Sequence, residues 1–310
     1  MELRHLRSFL AVVQERNFTR AARGLHLTQP ALSQHIRALE REIGGALFIR
    51  DSHRVQLTAA GEALERPARD ILRSAALALD LARAAASGES GTVRVGLFAG
   101  GAAELTAPIL EAYTARYPSV RLALIDLPPH RAETALHDAI VDVALLRPPI
   151  NTEFLTTTTL FQEPRVLAVS RRHRLADDGV VSIPTYLDLP VPSIPTAMPR
   201  HFQDFWLFSD HRNGETPRFH GELVETVSEA LHFTLVTPDA SLAVAASTQR
   251  ALNIGGLVYL PILGAEPCEV AAVSRRGDDR GLVTDFHRIA RQVCTDLIDL
   301  VPEASLPGAI

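Results

Sequence analysis

The chain has 310 residues, enough for two domains, and its 46% hydrophobic and 22% charged residues are typical of a globular protein. The charged opening MELRHLRSF argues against a secretory signal, and no apolar run approaches the roughly 20 residues of a membrane span. Two cysteines are too few for a disulfide framework or a thiolate metal site. We therefore expect a reduced, cytoplasmic protein without a metal or a cofactor.

The net charge of −5 is unevenly distributed. Residues 1–58 hold nine arginines against five acidic residues, a charge of +4, which leaves −9 for the rest of the chain. A basic head on an acidic body favours binding of the head to a polyanion, although a difference of this size can also arise by chance.

Two helices are predicted at the start of the head. The first follows from an apolar stripe at helical spacing, formed by Leu3, Leu6, Phe9, Leu10 and Val13. Asn17-Phe18 interrupts the stripe, and Thr19 can cap a short second helix, TRAARGL. In that helix, Ala21 and Ala22 would let another helix approach closely.

A third helix is predicted in LHLTQPALSQHIRALEREIG, with Thr28 as its N-cap and Pro30 in the first turn. One side is an apolar stripe of Leu32, Ile36, Leu39 and Ile43. The other side carries Gln29, Ser33, Gln34 and Arg37. Three helices with a short turn before the third form a helix-turn-helix, in which the third helix enters the major groove. Gln, Ser and Arg can bind base edges there; the alternative is a polar face turned to solvent.

The segment ALFIRDSHRVQLTAAGE predicts a basic hairpin beside this helix. Residues 47–49 and 55–57 are strand-like on either side of a turn at Asp51-Ser52. Arg50, His53 and Arg54 lie at or near its tip, where a wing contacts phosphate or the minor groove.

Residues 18–62 resemble the N-terminal domain of LysR-type transcriptional regulators motif by motif. The matching elements are Ala21-Ala22, Thr28-Gln29-Pro30-Ala31-Leu32-Ser33, Ile36-Arg37-Ala38-Leu39-Glu40, Leu47-Phe48-x-Arg50 and Leu57-Thr58-x-Ala60-Gly61. Thr28 replaces a frequent serine, Ile43 replaces a usual leucine, and Gln34 stands where many members carry arginine, so the base preference at Gln34 is not inherited. The resemblance implies double-stranded DNA as a partner and RNA polymerase as a candidate partner. The predicted DNA-binding residues are Thr28, Gln29, Pro30, Ser33, Gln34, Arg37, Arg50, His53 and Arg54.

A long linker helix should follow, capped by Thr58 and running to about Ser87. A heptad seam is formed by Leu64, Ala68, Ile71, Ala75, Ala78, Ala82 and Ala85. Family members resembling this chain dimerise through such a helix, which implies a homodimer or homotetramer that binds an interrupted palindrome. The alternative is a helix that packs on its own domain. Residues 87–91, SGESG, have the composition of a flexible hinge.

From Thr92 onward, strand-like and helix-like segments alternate, which predicts βαβ units and a parallel sheet. The first strands are VRVGLF, VRLALID and DVALLR, separated by helical ELTAPILEAYTARY and RAETALHDAI. A second run begins at residues 165–169 and continues through helical RHFQDFWLF and ETVSEALHF to strand-like TLVT and LVYLPI. A last strand, EVAAVSR, precedes a helix from about Leu282 to Leu300.

This region resembles the family's effector domain, which is built like a periplasmic binding protein. The predicted fold is an α+β winged helix-turn-helix (1–58) with a linker helix and hinge (59–90), joined to an α/β two-lobed effector domain (91–310). The first lobe would be about 92–162 plus 266–300, and the second about 163–265.

Ligands of open α/β sheets bind beyond the carboxyl ends of the strands. The glycine-rich turn after the first strand could offer backbone N–H groups to an anion at a helix N-terminus, and Arg147 could pair with a ligand carboxylate. Together with apolar neighbours, this predicts a small organic acid, possibly aromatic, as effector. The predicted effector-binding residues are Phe98, Ala99, Gly100, Gly101, Ala102, Leu127, Pro128, Arg147, Ile194, Thr196 and Phe202. Two alternatives stay open: Arg147 forms a salt bridge between the lobes, or the cleft is an empty remnant.

The sequence therefore favours a sequence-specific transcription regulator controlled by a small-molecule effector. An enzyme that acts on a small metabolite and carries a DNA-binding head is the alternative, but none of the common catalytic motifs is readable. A sequence-indifferent architectural DNA binder would not need the two-lobed domain.

Overall fold

A computed structural model describes residues 2–50, 55–87 and 91–308, with backbone alone for residues 50, 73, 74 and 76–87. The chain separates into two compact units, Met1–Glu89 and Ser90–Ile310. Each unit has a hydrophobic core of its own. No helix in the described ranges is long and apolar enough to cross a membrane.

The first unit is a helix-turn-helix followed by a two-stranded hairpin and a long helix. Its elements are α1 (Leu3–Glu15), α2 (Phe18–Gly24), α3 (Gln29–Ile43), β1 (Phe48–Arg50), β2 (Val55–Leu57) and α4 (Ala59–Ser87). The apolar stripes of α1 and α3 meet in the core, where Leu6, Phe9 and Ile36 are fully buried. The predicted stripe of α3 is one residue too long, because Ile43 in its last turn is 44% exposed. Ala21 and Ala22 are buried between helices, as their small size predicts.

The predicted cap of α2 is wrong, whereas the predicted cap of α3 is confirmed. Asn17 has an extended backbone, and its Oδ1 accepts from the backbone N–H groups of Thr19 and Arg20 at 2.9 and 3.0 Å. Thr19 cannot be the cap, because the helix has already begun at Phe18. Thr28 caps α3, with its Oγ1 3.4 Å from the N–H of Ala31.

Several residues of the family motifs hold the hairpin against the helices. The Glu40 carboxylate accepts from the backbone N–H of Leu47 at 3.0 Å. Thr58 Oγ1 donates to the carbonyl of Ala46 at 2.6 Å and accepts from the N–H of Gly61 at 3.1 Å. A Cβ on Gly61 would lie 2.3 Å from the carbonyl oxygen of Leu47, so this position requires glycine.

The first turns of α4 pack on their own unit. Ala68 is fully buried, and Leu64 and Leu72 pack against the same core. Two positions of the predicted seam are thus used inside the unit, as the alternative required, while Ile71 is 37% exposed. The side chains of the seam from Ala78 onward and hinge residues 88–90 lie outside what the structure describes, so dimerisation through α4 stays a prediction.

The second unit is built on two large sheets, a small parallel sheet of β9 and β10, and the helices that cover them. Its strands are β3 (Thr92–Leu97), β4 (Arg121–Asp126), β5 (Val143–Leu146), β6 (Leu155–Glu163), β7 (Arg165–Ser170), β8 (Val181–Ser182), β9 (Val191–Ser193), β10 (Phe219–Leu223), β11 (Ser241–Ala245), β12 (Leu257–Leu263) and β13 (Cys268–Arg275). Its α-helices are α5 (Thr106–Arg116), α6 (Ala132–His137), α7 (Ile183–Leu187), α8 (Arg200–Trp206), α9 (Val227–Val236), α10 (Ala246–Leu252) and α11 (Gly281–Leu297).

Both large sheets are mixed, which corrects the prediction of a parallel sheet. The first sheet has the order β4-β3-β5-β13-β6, with β3 parallel to β4 and β5 but β13 antiparallel to β5 and β6. The second has the order β11-β7-β12-β8, with β7 antiparallel to both neighbours. Parallel pairing needs a crossover connection, whereas β13 enters the first sheet directly from the second. We call the halves built on the two sheets lobe 1 and lobe 2.

The segment TLVT is helical, not a strand. Residues 234–236 belong to α9, which a capping box of Thr226 and Glu229 starts. Ala230, Leu231 and Thr234 form its buried side at helical spacing. The strand of this region is instead β11, SLAVA, which the sequence analysis missed.

A buried ion cluster stabilises the first sheet. Asp142 is fully buried and accepts from Arg94 Nε at 2.9 Å and from Arg280 Nη2 at 2.8 Å. Burial alone would raise the pKa of Asp142, but the hydrogen bonds from the Arg94 side chain and backbone and from Arg280 outweigh it and lower the pKa to about 2.

Candidate functional site

The exposed face of α3 carries most of the predicted base-contacting side chains. Thr28, Gln29 and Pro30 are exposed in the first turn, and Gln34 and Arg37 are exposed one and two turns later. Their spacing puts Gln34 and Arg37 on one side of the helix. This arrangement presents an amide and a guanidinium, the two groups that bind adenine and guanine bidentately.

Ser33 is less accessible than its neighbours on this face, and its contact with DNA stays a prediction. It is 3% exposed, and its Oγ accepts from Gln29 Nε2 at 3.4 Å. The reason is angular: Ser33 follows buried Leu32 by one residue and precedes buried Ile36 by three, so it lies at the border of the apolar stripe.

Arg41 is a member of the face that sequence reasoning missed. Gln34, Arg37, Glu40 and Arg41 line one open groove together with Gly45. The signal was available in the sequence, because Arg41 stands four residues after Arg37 and seven after Gln34.

Of the predicted wing, only the strands are described. β1 and β2 pair antiparallel, with Arg50 opposite Val55. The Arg50 side chain, His53 and Arg54 lie outside the described part of the chain. Their contacts with phosphate therefore stay a prediction.

Lobes 1 and 2 line a half-open, largely apolar cavity between them. Five predicted effector residues line it: Phe98, Ala99, Arg147, Ile194 and Phe202. The rings of Phe98 from lobe 1 and Phe202 from lobe 2 meet edge to face, with centroids 5.8 Å apart. The other predicted residues, Gly100, Gly101, Ala102, Leu127, Pro128 and Thr196, are not among the described residues that line it.

The glycine turn after β3 uses part of its hydrogen-bonding capacity internally. Gly101 N–H donates to the Phe98 carbonyl at 2.9 Å, and Ala102 N–H donates to Thr106 Oγ1 at 2.8 Å. Thr106 Oγ1 in turn donates to the carbonyl of Gly100 at 2.8 Å. Two of the N–H groups predicted to bind an anion are thus satisfied by the turn itself.

Arg147 is engaged in a buried network, but its ion-pair partner Glu163 ends β6 of the same sheet, so this salt bridge lies within lobe 1 and not between the lobes. It is 2% exposed, and its Nη1 donates to Glu163 Oε1 at 2.7 Å. Its Nη2 donates to Oγ of Ser247 in lobe 2 at 2.9 Å. Glu163 also accepts from the Ser247 N–H at 2.6 Å and from its Oγ at 2.8 Å. Burial alone would lower the pKa of Arg147, but the Glu163 carboxylate outweighs this and raises it.

Much of the cavity wall comes from lobe 2 residues that the sequence analysis did not single out. They include Met198, Trp206, Leu207, Val224, Val227 and the β11 residues Leu242 to Ala245. Because TLVT was predicted as the strand of this region, the segment that forms β11 was not recognised. A readable signal was Trp206, because it is the one tryptophan of the chain and stands in a helical segment rich in aromatic residues.

Two contacts join the lobes at the rim of the cavity. His201 Nε2 of α8 lies 2.5 Å from Glu133 Oε1 of α6. Arg250 of α10 forms an ion pair with Glu104, which lies between β3 and α5. These polar contacts and the phenylalanine pair therefore join the two lobes.

Family models match both units. The model for the bacterial regulatory helix-turn-helix protein, lysR family, matches residues 3–62, and the model for the LysR substrate binding domain matches residues 86–295. The regulator AlsR of Bacillus subtilis is 35% identical over 211 residues, which cover 68% of this chain and 70% of that protein. The Hca operon transcriptional activator HcaR of Escherichia coli is 29% identical over 305 residues, 94% of this chain and 98% of that protein.

Solved structures agree with these matches. Full-length CbnR complexed with its target DNA has a TM-score of 0.64 at 25% identity and covers 95% of this chain and 100% of its own. Full-length BenM, from Acinetobacter baylyi, has a TM-score of 0.55 at 27% identity, with 98% and 99% covered. The predicted fold, a winged helix-turn-helix joined to a two-lobed effector domain, is confirmed. The chain belongs to the LysR family of bacterial transcriptional regulators.

Proposed function

We propose that this regulator binds an interrupted palindrome and that a small organic molecule in the cavity between the lobes controls its action on DNA. The observation that carries the proposal is the apolar cavity, because side chains of both lobes line it. A molecule that binds there contacts Phe98 of lobe 1 and Phe202 of lobe 2 at once. Such a ligand can favour one arrangement of the lobes over another, which is the requirement for control by binding.

On the DNA side, Gln34 and Arg37 supply base contacts from the exposed face of α3. Two heads joined through the linker helices would read two half-sites separated by about 34 Å, one helical turn, or a multiple of it. Operators are selected from a random duplex library with the full chain and then footprinted. Two related half-sites on one face of the duplex are expected, and a single half-site bound with full affinity would contradict the palindrome.

The cavity supports binding rather than chemistry. The buried ion pair of the lining residue Arg147 with Glu163 also binds Ser247. Among the described residues that line the cavity, none is a cysteine, serine or histidine, and Glu225 is the one carboxylate there. Conversion of a bound compound to a product would overturn this part of the proposal.

The test is a thermal-shift screen of small organic compounds, followed by titration of each binder with the operator. A compound that binds only the folded state raises the melting temperature. Ile194→Trp, which places a large ring at the cavity wall, should abolish the shift. Leu263→Trp is the matched control, because Leu263 is 68% exposed and lies on another part of lobe 2. Equal shifts in both variants would show that the compounds bind elsewhere.

A further inference from the structure

We propose that the cavity selects an uncharged, largely apolar molecule that carries a hydrogen-bond acceptor, and that the Trp206 indole N–H and the Arg147 Nε–H are the groups that receive it. This inference rests on the proposed function, since it names the class of ligand for the same cavity. It departs from the organic acid that the sequence predicts.

The charges at the cavity wall do not favour an anion. Arg147 is the one cationic residue among the described residues of the lining, and Glu163 already neutralises it at 2.7 Å. Glu225 adds a second carboxylate at the wall. An anion would lose its hydration without gaining an unpaired cation, which is costly in an apolar site.

The strand ends around the cavity are also poor in backbone donors. Pro128 and Pro129 follow β4, and Pro148 and Pro149 follow β5. Proline has no N–H, so these turns cannot form the cluster of backbone donors that binds a carboxylate or phosphate. After β3, the N–H groups of Gly101 and Ala102 are satisfied within the turn.

Two buried donors on residues that line the cavity lack an acceptor. Trp206 Nε1 and Arg147 Nε are buried and have no hydrogen-bond partner among the described residues. Three other polar side chains of the lining form hydrogen bonds of their own: Tyr186 donates to the Trp206 carbonyl, Gln203 donates to the Met198 carbonyl, and Thr226 caps α9. A buried donor without an acceptor is unfavourable, and a ligand oxygen would remove that cost.

Both donors are held in place before a ligand arrives. The Trp206 ring packs edge to face on Phe205, with centroids 5.3 Å apart, and also contacts Phe202 at 6.0 Å. Arg147 is fixed through Glu163 and Ser247. Little side-chain freedom is lost when an acceptor binds to donors fixed in this way.

Three probes of similar size separate the possibilities: ethylbenzene is apolar, acetophenone adds an uncharged acceptor, and benzoate adds a charge. Trp206 is the one tryptophan of the chain, so its fluorescence reports binding at the cavity directly. We expect acetophenone to bind about tenfold more tightly than ethylbenzene, the worth of one net hydrogen bond, and benzoate to bind most weakly.

Trp206→Phe keeps an aromatic ring but removes the donor. With binding measured by calorimetry, this variant should lose most of the preference for acetophenone over ethylbenzene and keep its affinity for ethylbenzene. Tyr259→Phe is the matched control, because the Tyr259 hydroxyl is also buried without a partner among the described residues but does not line the cavity. It should leave the preference unchanged.

Each other outcome contradicts the inference. Tightest binding of benzoate would show that the cavity prefers an anion. Equal binding of acetophenone and ethylbenzene would show that the two N–H donors do not contribute to ligand binding. Binding of none of the three would remove this ligand class from the cavity. Different results would contradict the proposed function. These are a selection that yields no palindromic operators, or compounds that bind the cavity and leave operator binding unchanged.

Discussion

On the recognition helix α3, Gln34 and Arg37 are exposed, and their side chains make no hydrogen bonds to the described residues. In the cavity, Arg147 is buried and two of its nitrogens already bind Glu163 and Ser247. The same residue type is thus available to a ligand in one region and committed to the protein in the other. Substituting an arginine should therefore affect DNA recognition in the first region and folding in the second.

The largest effect expected from this contrast is on stability in the C-terminal unit. Arg147→Ala leaves the Glu163 carboxylate buried without its cation, which should reduce the free energy of unfolding by about 3–5 kcal/mol. Urea unfolding followed by Trp206 fluorescence measures the change. Arg250→Ala is the control, since its pair with Glu104 is about one-third exposed and should contribute no more than about 1 kcal/mol.

The double substitution Arg147→Met with Glu163→Leu sharpens this test. It removes both charges, so the double variant should recover most of the stability that Arg147→Ala loses. If Arg147→Ala is no less stable than Arg250→Ala, the buried pair does not stabilise the C-terminal unit, and the contrast with α3 fails.

On α3 the expected effect is on discrimination rather than stability. Arg37→Ala should lower the preference for the correct base pair at one operator position by about 1–3 kcal/mol. Fluorescence-anisotropy titration of single-base operator variants measures this. Arg41→Ala, one turn later in the same groove, should instead weaken all sequences alike and reduce the salt slope by about one. Identical behaviour of the two variants would mean that Arg37 contacts phosphate.

Acid should act on the C-terminal unit through Asp142. The pKa of this carboxyl is lowered from 3.8 to about 2 in the folded protein. A lowered folded pKa stabilises fully above the unfolded pKa, so this contribution, about 2 kcal/mol, should disappear as the pH falls from about 4 towards 2. Urea unfolding followed by Trp206 at about pH 5 and pH 2.5 compares the two conditions. Asp142→Asn should flatten the pH dependence while being less stable at neutral pH; an unchanged slope would contradict the assignment.

The smallest expected effect concerns the second helix of the head. Asn17→Ala removes a side chain that accepts from two backbone N–H groups, which should cost about 1 kcal/mol. Thr19→Ala, inside the helix, should change stability by less than about 0.5 kcal/mol. Thermal unfolding followed by far-ultraviolet circular dichroism compares the two variants. The reverse order would restore Thr19 as the cap.

The sequence predicted the head well because its signals are local. The stripe of α3 from Leu32 to Leu39 and the exposure of Gln34 and Arg37 follow from helical spacing, and the Thr28 cap follows from its residue type. The burial of Ser33 was not predicted, because a residue at the border of a stripe can fall on either side. Only packing against α1 and α2 decides which side it takes. Asn17 was not predicted as the cap of α2, because Asn and Thr are both good N-cap residues and both stand near the start of the helix.

The cleft was predicted less well because its chemistry depends on partners distant in sequence. Arg147 was correctly placed at the end of β5, but Glu163 and Ser247, which occupy it, lie 16 and 100 residues away. The direction of β13 also depends on its entry from the other sheet. No periodicity within EVAAVSR could reveal that entry.

The central claim is that occupation of the cavity changes how the head binds DNA. The most direct measurement is operator binding by the full chain, with and without the tightest of the three probes, with cavity occupation followed through Trp206 in the same sample. The account predicts that operator affinity or the footprint changes as the cavity fills, and that Ile194→Trp abolishes the change. A cavity that fills completely while affinity and footprint stay the same would contradict it, because a ligand with no preference between two states shifts neither.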